Sequence, residues 1–268
     1  MKAFIIDVSK CNGCYSCQIS CKDEHVGNDW APYARPQPDT GQFWLKIHEY
    51  VRGTVPKVKT AYRPVLCMHC DNAPCISACP VEGGIYKRHD GLVVINPQKC
   101  TGCKNCVDAC PYGVIYFNED LNLAQKCTGC AHLLDRGWKE PRCVEICPSG
   151  AISFGEEAEL AGRIKPAEAL QPEAGTQPRV YYLNLPKKFV AGTVYDPEAE
   201  EVIVGANCTL TELPGGRKLT TSTDGFGDFW FEGLEAGEFS LEIASGQKRK
   251  TIDSIKTDKD VNLGDIPL

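Results

Sequence analysis

Sixteen of the chain's 17 cysteines fall into four short runs, and no other feature limits its possible folds so strongly. Cys11, Cys14, Cys17 and Cys21 are separated by two, two and three residues, and Cys100, Cys103, Cys106 and Cys110 in "CTGCKNCVDACP" repeat that spacing. Cys67, Cys70, Cys75 and Cys79 widen the middle gap to four residues; Cys127, Cys130, Cys143 and Cys147 widen it to twelve. Pro80, Pro111 and Pro148 follow the last thiol of three runs, and Lys22 follows that of the first. An ordinary apolar core has no use for so many thiols so close together. Three chemistries do: a disulfide framework, zinc, or an iron–sulfur cluster.

Disulfides need an oxidising compartment, and "MKAFIIDVSK" shows no apolar signal segment. Zinc knuckles usually come as two Cys-x2-Cys pairs separated by a longer loop. Here a third thiol follows two residues after the second in two runs. The spacing C-x2-C-x2-C-x3-C-P is the bacterial ferredoxin ligand run, in which three thiolates wrap one cubane and the fourth binds another. Soft thiolates suit iron–sulfur clusters. Gly13, Gly102 and Gly129 in the recurring "KC-x-GC" can turn the loop. The preceding Lys10, Lys99 and Lys126 either offset cluster charge or are simply solvated.

A second repeat follows the last cysteines: "CPYGVIYF" (110–117), "CPSGAISF" (147–154) and, more loosely, "CPVEGGIYKR" (79–88). Each reads as a turn into a short strand. "AFIIDV" (3–8) and "GLVVIN" (91–96) read as strands before cysteine runs. Strand, cluster loop, short helix, strand is half of a ferredoxin unit, and four halves make two pseudo-symmetric modules. The inserts at about 22–66 and 131–142 read as wrapping loops; "GQFWLKIHEY" (41–50) in the first alternates enough to be a hairpin strand.

Four such runs in this order, the fourth interrupted by an insert, resemble the iron–sulfur subunits of molybdopterin oxidoreductases of the dimethyl sulfoxide reductase type, over residues 1 to about 185. "YRPVLCMHCDNAPC" (62–75), "AQKCTGCAHLLD" (124–135), "PRVYYLNL" (178–185) and a β-rich tail resemble the branch of the pyrogallol–phloroglucinol transhydroxylase small subunit and related phenol hydroxylases and dehydroxylases. The resemblance implies four 4Fe-4S clusters with crossed ligation. Cluster one takes Cys11, Cys14, Cys17 and Cys147; cluster two takes Cys127, Cys130, Cys143 and Cys21. Cluster three takes Cys67, Cys70, Cys75 and Cys110; cluster four takes Cys100, Cys103, Cys106 and Cys79. It also implies a large catalytic partner subunit holding molybdenum bis-molybdopterin guanine dinucleotide, with the first cluster nearest the molybdenum and the fourth farthest. In that branch the transhydroxylase small subunit lacks several cysteines of the third run. The run is intact here, which implies a relay reaching the surface and an external electron carrier or quinone-linked protein. A polyhydroxylated aromatic substrate fits this branch. Arsenate, polysulfide and formate types of molybdoenzyme stay open, as does a metal-stapled scaffold without redox function.

The expected fold is α+β: two pseudo-symmetric bacterial ferredoxin-like modules with four 4Fe-4S clusters, then an all-β immunoglobulin-like sandwich. The domains are 1–154 for the cluster-bearing part, 155–187 for a linker packed on it with a short helix at 156–163, and 188–268 for the sandwich. Punctuation by "PGG" (214–216), "DGFG" (224–227) and "EAG" (235–237) predicts about seven short strands. "TDGFGDFWFEGLEAGEFSLEI" (223–243) resembles the carboxypeptidase-regulatory, transthyretin-like type. Fold alone gives that module no function.

Cys208 reads as a buried small hydrophobe. His69 and His132, inside cluster loops, either pack or hydrogen-bond near a cluster. Ile76, Val107, Val114, Ile115 and Ile152 keep water off the clusters, and Trp44, Trp138 and Trp230 read as packing. The formal charge of −6, made more negative by clusters, argues against nucleic acid. No apolar run is long enough to span a membrane. With no Ser/His/Asp set, phosphate loop or nicotinamide fingerprint, substrate chemistry belongs to the partner and no residue here is catalytic. The expected location is the cytoplasm, or export in a folded state beside a signal-bearing partner.

Overall fold

The computed structural model describes residues 1–268, which divide into two compact units: residues 1–50 with 61–185, and residues 51–60 with 186–268. In the first unit, β1 (Lys2–Asp7) is central to a three-stranded sheet. Its run of Ala3, Phe4, Ile5 and Ile6 is buried on both faces, as a central strand requires. The chain then forms α1 (Ser16–His25) and two ten-residue strands, β2 (Leu45–Thr54) and β3 (Lys57–Leu66), paired as a hairpin. The second half of the first insert is thus regular strand, and the hairpin tip at 51–60 belongs to the second unit.

Short elements carry the remaining runs. α2 (Pro74–Ser77) precedes the hairpin of β4 (Ile85–Lys87) and β5 (Val93–Ile95); α3 (Asn105–Asp108) precedes that of β6 (Tyr116–Asn118) and β7 (Leu123–Gln125). The second insert opens with α4 (Ala131–Leu134) and leads to α5 (Arg142–Glu145) and β8 (Ile152–Glu156), antiparallel to β1. Each third cysteine sits in one of these helices: Cys17 in α1, Cys75 in α2, Cys106 in α3 and Cys143 in α5. α1 packs on α5, and α2 on α3. That pairing brings the first run against the fourth and the second against the third.

Residues 155–185 are part of the first unit. α6 (Glu157–Ile164) leads to β9 (Val180–Leu183), which pairs in parallel with β1. Arg179 fastens this stretch with paired hydrogen bonds to Asp71 at 2.7 and 2.8 Å and one to Glu157 at 2.8 Å. Tyr182, fully buried, donates to the Pro64 carbonyl at 2.9 Å.

The second unit has eight further strands in two four-stranded sheets. In one, β10 (Lys188–Asp196) pairs with β11 (Glu201–Val202); the other begins with β12 (Asn207–Glu212) and β13 (Lys218–Ser222). β14 (Asp228–Leu234) joins β10; β15 (Glu238–Ser245) and β16 (Lys248–Lys256) extend the β12 sheet; β17 (Val261–Pro267) returns parallel to β10. Val190, Leu210, Phe229, Phe231, Leu241 and Ile243 fill the space between. Cys208 lies there with no exposed surface.

Candidate metal centres

The helix pairing gathers the sixteen thiols into four groups of four. Cys147 faces Cys11 and Cys17, with Cys14 beside them. Cys21 faces Cys127 and Cys130, and Cys143 faces the same three thiols. Cys67, Cys70, Cys75 and Cys110 line one small cleft, walled by Val93, Val114 and Ile115. Cys79, Cys100, Cys103 and Cys106 line another, walled by Val81, Ile85 and Ile95. The thiols surround these spaces instead of converging on a single-ion position. A compact polynuclear group held at its corners by four soft donors fits that shape.

The groups form a single file. Cys17 of the first neighbours Cys21 of the second, Cys127 of the second neighbours Cys67 of the third, and Cys75 of the third neighbours Cys106 of the fourth. Both ends reach solvent, and the middle is largely buried. Cys14 of the first group and Cys103 of the fourth are exposed; all four thiols of the second group are buried, as are three of the third.

Burial and then the neighbouring thiols push the Cys17, Cys70 and Cys106 thiols up to about 12. Burial likewise raises Cys75 and Cys127 to about 11, and holds Cys21 and Cys143 well above the usual thiol range. Left alone at neutral pH, these thiols stay protonated. Only a cationic group can draw them out as thiolates, and binding one releases protons. Cys147 differs: burial opposes ionisation, but the Ser149 hydroxyl and the backbone N–H groups of Ile152, Ala151 and Ser149 outweigh it and lower its pKa.

The surroundings contain more than sequence reasoning identified. His69 occupies the position that glycine takes in the other three loops. It adopts φ +45°, with its Nδ1 accepting from the Val93 N–H at 3.0 Å. The glycines hold the same left-handed turn; at Gly129 (φ +63°) a β-carbon would lie 2.8 Å from the Leu92 side chain. His132 Nε2 lies 2.9 Å from Glu24, its ring stacked on Trp30. Lys126 is buried, whereas Lys10 and Lys99 are exposed. The Thr176 hydroxyl partly offsets the rise in the Cys70 pKa, and the Tyr112 and Thr176 hydroxyls are 2.6 Å apart. No sequence signal marks Thr176, which lies far along the chain in an irregular segment. Trp44 is buried as expected, but Trp138 is 43% exposed beneath the Arg142 guanidinium, so it does not pack in a core.

Residues 58–157 match the 4Fe-4S dicluster domain family, residues 8–27 a 4Fe-4S binding domain, and residues 190–268 the carboxypeptidase regulatory-like domain. The protein is therefore of the ferredoxin-like iron–sulfur class, with an all-β carboxypeptidase-regulatory-like domain following. It is 41% identical to the pyrogallol hydroxytransferase small subunit of Pelobacter acidigallici over 98% of each chain. A tetrathionate reductase subunit of Salmonella typhimurium is 37% identical over 70% of this chain and 74% of its own. The arsenate respiratory reductase iron–sulfur subunit of Shewanella sp. is 44% identical over 42% of this chain and 44% of its own. The chain belongs to the iron–sulfur subunits of molybdopterin oxidoreductases of the dimethyl sulfoxide reductase type, in the branch that includes the pyrogallol hydroxytransferase small subunit.

Proposed function

We propose that the chain relays single electrons through four 4Fe-4S clusters between a large molybdenum-containing catalytic subunit and an external carrier. One observation carries this reading: four groups of four thiols stand in single file, buried in the middle and open to solvent at both ends. A scaffold stapled by metal has no need of such an ordering. A conductor needs contiguous stepping stones, insulation along the way, and an entrance and an exit.

The clusters supply one-electron chemistry when bound. The protein holds them by Cys11, Cys14, Cys17 and Cys147; by Cys127, Cys130, Cys143 and Cys21; by Cys67, Cys70, Cys75 and Cys110; and by Cys100, Cys103, Cys106 and Cys79. Val93, Val114 and Ile115 exclude water from the third site, and the Thr176 hydroxyl favours the thiolate of Cys70. Such donors and burial set cluster potentials. Residues 1–154 are the cluster-bearing domain, built as two pseudo-symmetric modules. Residues 155–187 are a linker packed on it, and 188–268 are a docking or stabilising module.

Substrate chemistry belongs to the partner, which carries molybdenum bis-molybdopterin guanine dinucleotide. The relative named for pyrogallol points to a polyhydroxylated aromatic substrate. No helix is long and apolar enough to cross a membrane; the chain works in the cytoplasm or is exported folded with its partner.

Anaerobically purified protein is expected to hold about 16 iron and 16 acid-labile sulfides, one cubane per four-thiol site. A redox titration followed by EPR is expected to resolve four one-electron steps. About 12 of each element, zinc in their place, or redox-silent metal would overturn the proposal.

A further inference from the structure

The segment "KCTGC" occurs twice and "KCNGC" once, yet the three lysines have different surroundings. Lys10 is exposed, 4.0 Å from Asp7. Lys99 is exposed and donates to the Glu82 carbonyl at 3.2 Å. Lys126 is only 2% exposed. Its Nζ donates to the Val93 and Cys127 carbonyls, the latter at 3.1 Å. Besides these carbonyls it faces cysteine sulfurs of two different groups: Cys67 and Cys75 of the third, and Cys127 of the second.

A buried ammonium is strongly unfavourable unless opposite charge lies close by. Carbonyl dipoles satisfy its protons but supply no net charge. Four thiolates around an oxidised cubane do carry net negative charge, and one-electron reduction makes it more negative. A fixed positive charge between two such sites therefore favours the reduced state of both. Resting on the relay reading above, we infer that Lys126 is a built-in counter-charge that raises the reduction potentials of the two buried middle sites, the third more than the second. Each reduction adds one electron taken from the neighbouring site, and no bond is made or broken. The inner sites are the most deeply buried, so burial alone would make them hardest to reduce. Lys126 offsets that penalty and keeps the middle of the file from becoming a barrier.

The test is an EPR-monitored redox titration of the full-length holoprotein, wild type against Lys126→Gln, Lys126→Met and Lys126→Arg. Signals are assigned from variants lacking one thiol of each group. Glutamine keeps a donor for the carbonyls but removes the charge, which separates electrostatics from simple tethering. One unit charge a few ångströms away, at an effective dielectric of about 20, changes an equilibrium constant by more than a factor of ten. Both neutral variants are expected to lower the reduction equilibrium constant of the third site at least tenfold, about 59 mV for a one-electron couple. The second site shifts less, the first and fourth do not move, and arginine retains most of the wild-type potential. Wild-type potentials in the glutamine or methionine variant, or an equal shift at all four sites, would overturn the inference. If the neutral variants lose inner clusters, recovery of iron content in Lys126→Arg upholds the counter-charge, and failure to recover overturns it. Failure of the relay reading itself shows elsewhere, as missing one-electron steps in the wild type.

Discussion

His69 shows how much one residue can be asked to bear. An L residue with a β-carbon is unfavourable in the left-handed region by roughly 1–2 kcal/mol, which is why Gly13, Gly102 and Gly129 occupy that corner elsewhere. His69 remains at φ +45° because its ring stands in for a ladder partner, accepting from the Val93 N–H. Burial, and then the nearby Lys126 charge, hold the imidazole well below its ordinary pKa, so it stays neutral and Nδ1 stays an acceptor. Removing the ring leaves a buried N–H unsatisfied, which costs about 1–3 kcal/mol. His69→Ala carries that cost and keeps the backbone strain; His69→Gly carries the cost and relieves the strain. Glycine is therefore expected to be the less damaging of the two, the reverse of the usual order. Denaturant unfolding of the anaerobic holoproteins measures this, and an alanine variant more stable than the glycine variant would refute the account.

At the scale of elements, the exchange of fourth cysteines follows from helix pairing. α2 against α3 places Cys110 with the second-run thiols and Cys79 with the third. Cys110→Ser is expected to damage the cluster of Cys67, Cys70 and Cys75 and to spare that of Cys100, Cys103 and Cys106. EPR of the reduced variant distinguishes them; loss of the latter signal alone would contradict the crossed arrangement. Much of this was legible in the sequence, because thiol spacing and the strand after Cys-Pro are local properties. The hairpin base at "WLKIHEY" was legible through its alternation. Burial of Lys126 was not: its local sequence matches that of Lys99, and the Val93 carbonyl that receives its ammonium lies in β5, far from it in sequence. Nor was the parallel pairing of β9 with β1, a contact between residues about 175 apart that leaves no periodic mark.

In the second unit, the hairpin tip places buried Lys57 in an ion pair with Asp228. Burial opposes ionisation of Asp228, but Lys57 and the Thr193 hydroxyl outweigh it and depress its pKa. A carboxylate depressed on folding adds stability above its unfolded pKa of about 3.9, and that stability is lost as pH falls through the lower folded value. Asp228→Asn leaves Lys57 unpaired and is expected to cost about 2 kcal/mol at pH 7, discounted from the cost of a fully buried pair. The difference in urea midpoint between wild type and variant should narrow once the pH falls below about 4. A gap of constant size from pH 7 to pH 3 would contradict this reading.

Across the whole molecule, the single file assigns different duties to its ends. The fourth group, with Cys103 at the surface and Cys106 against Cys75, has one neighbour within the chain and solvent beyond it. If that end passes electrons to an outside carrier, removing it should separate two activities. The variant with Cys100, Cys103 and Cys106 all changed to serine keeps the first and second groups, whose helices α1 and α5 pack together. Assembly with the large subunit is expected to persist. Turnover with a small artificial carrier able to reach the inner sites should survive. Turnover with the physiological carrier should fail, because electron tunnelling falls steeply with distance once a stepping stone is missing. If the group served only as a staple, the variant would either lose assembly or work equally well with both carriers. Gel filtration alongside both assays separates these cases, and unchanged turnover with the physiological carrier would exclude the fourth group from the path.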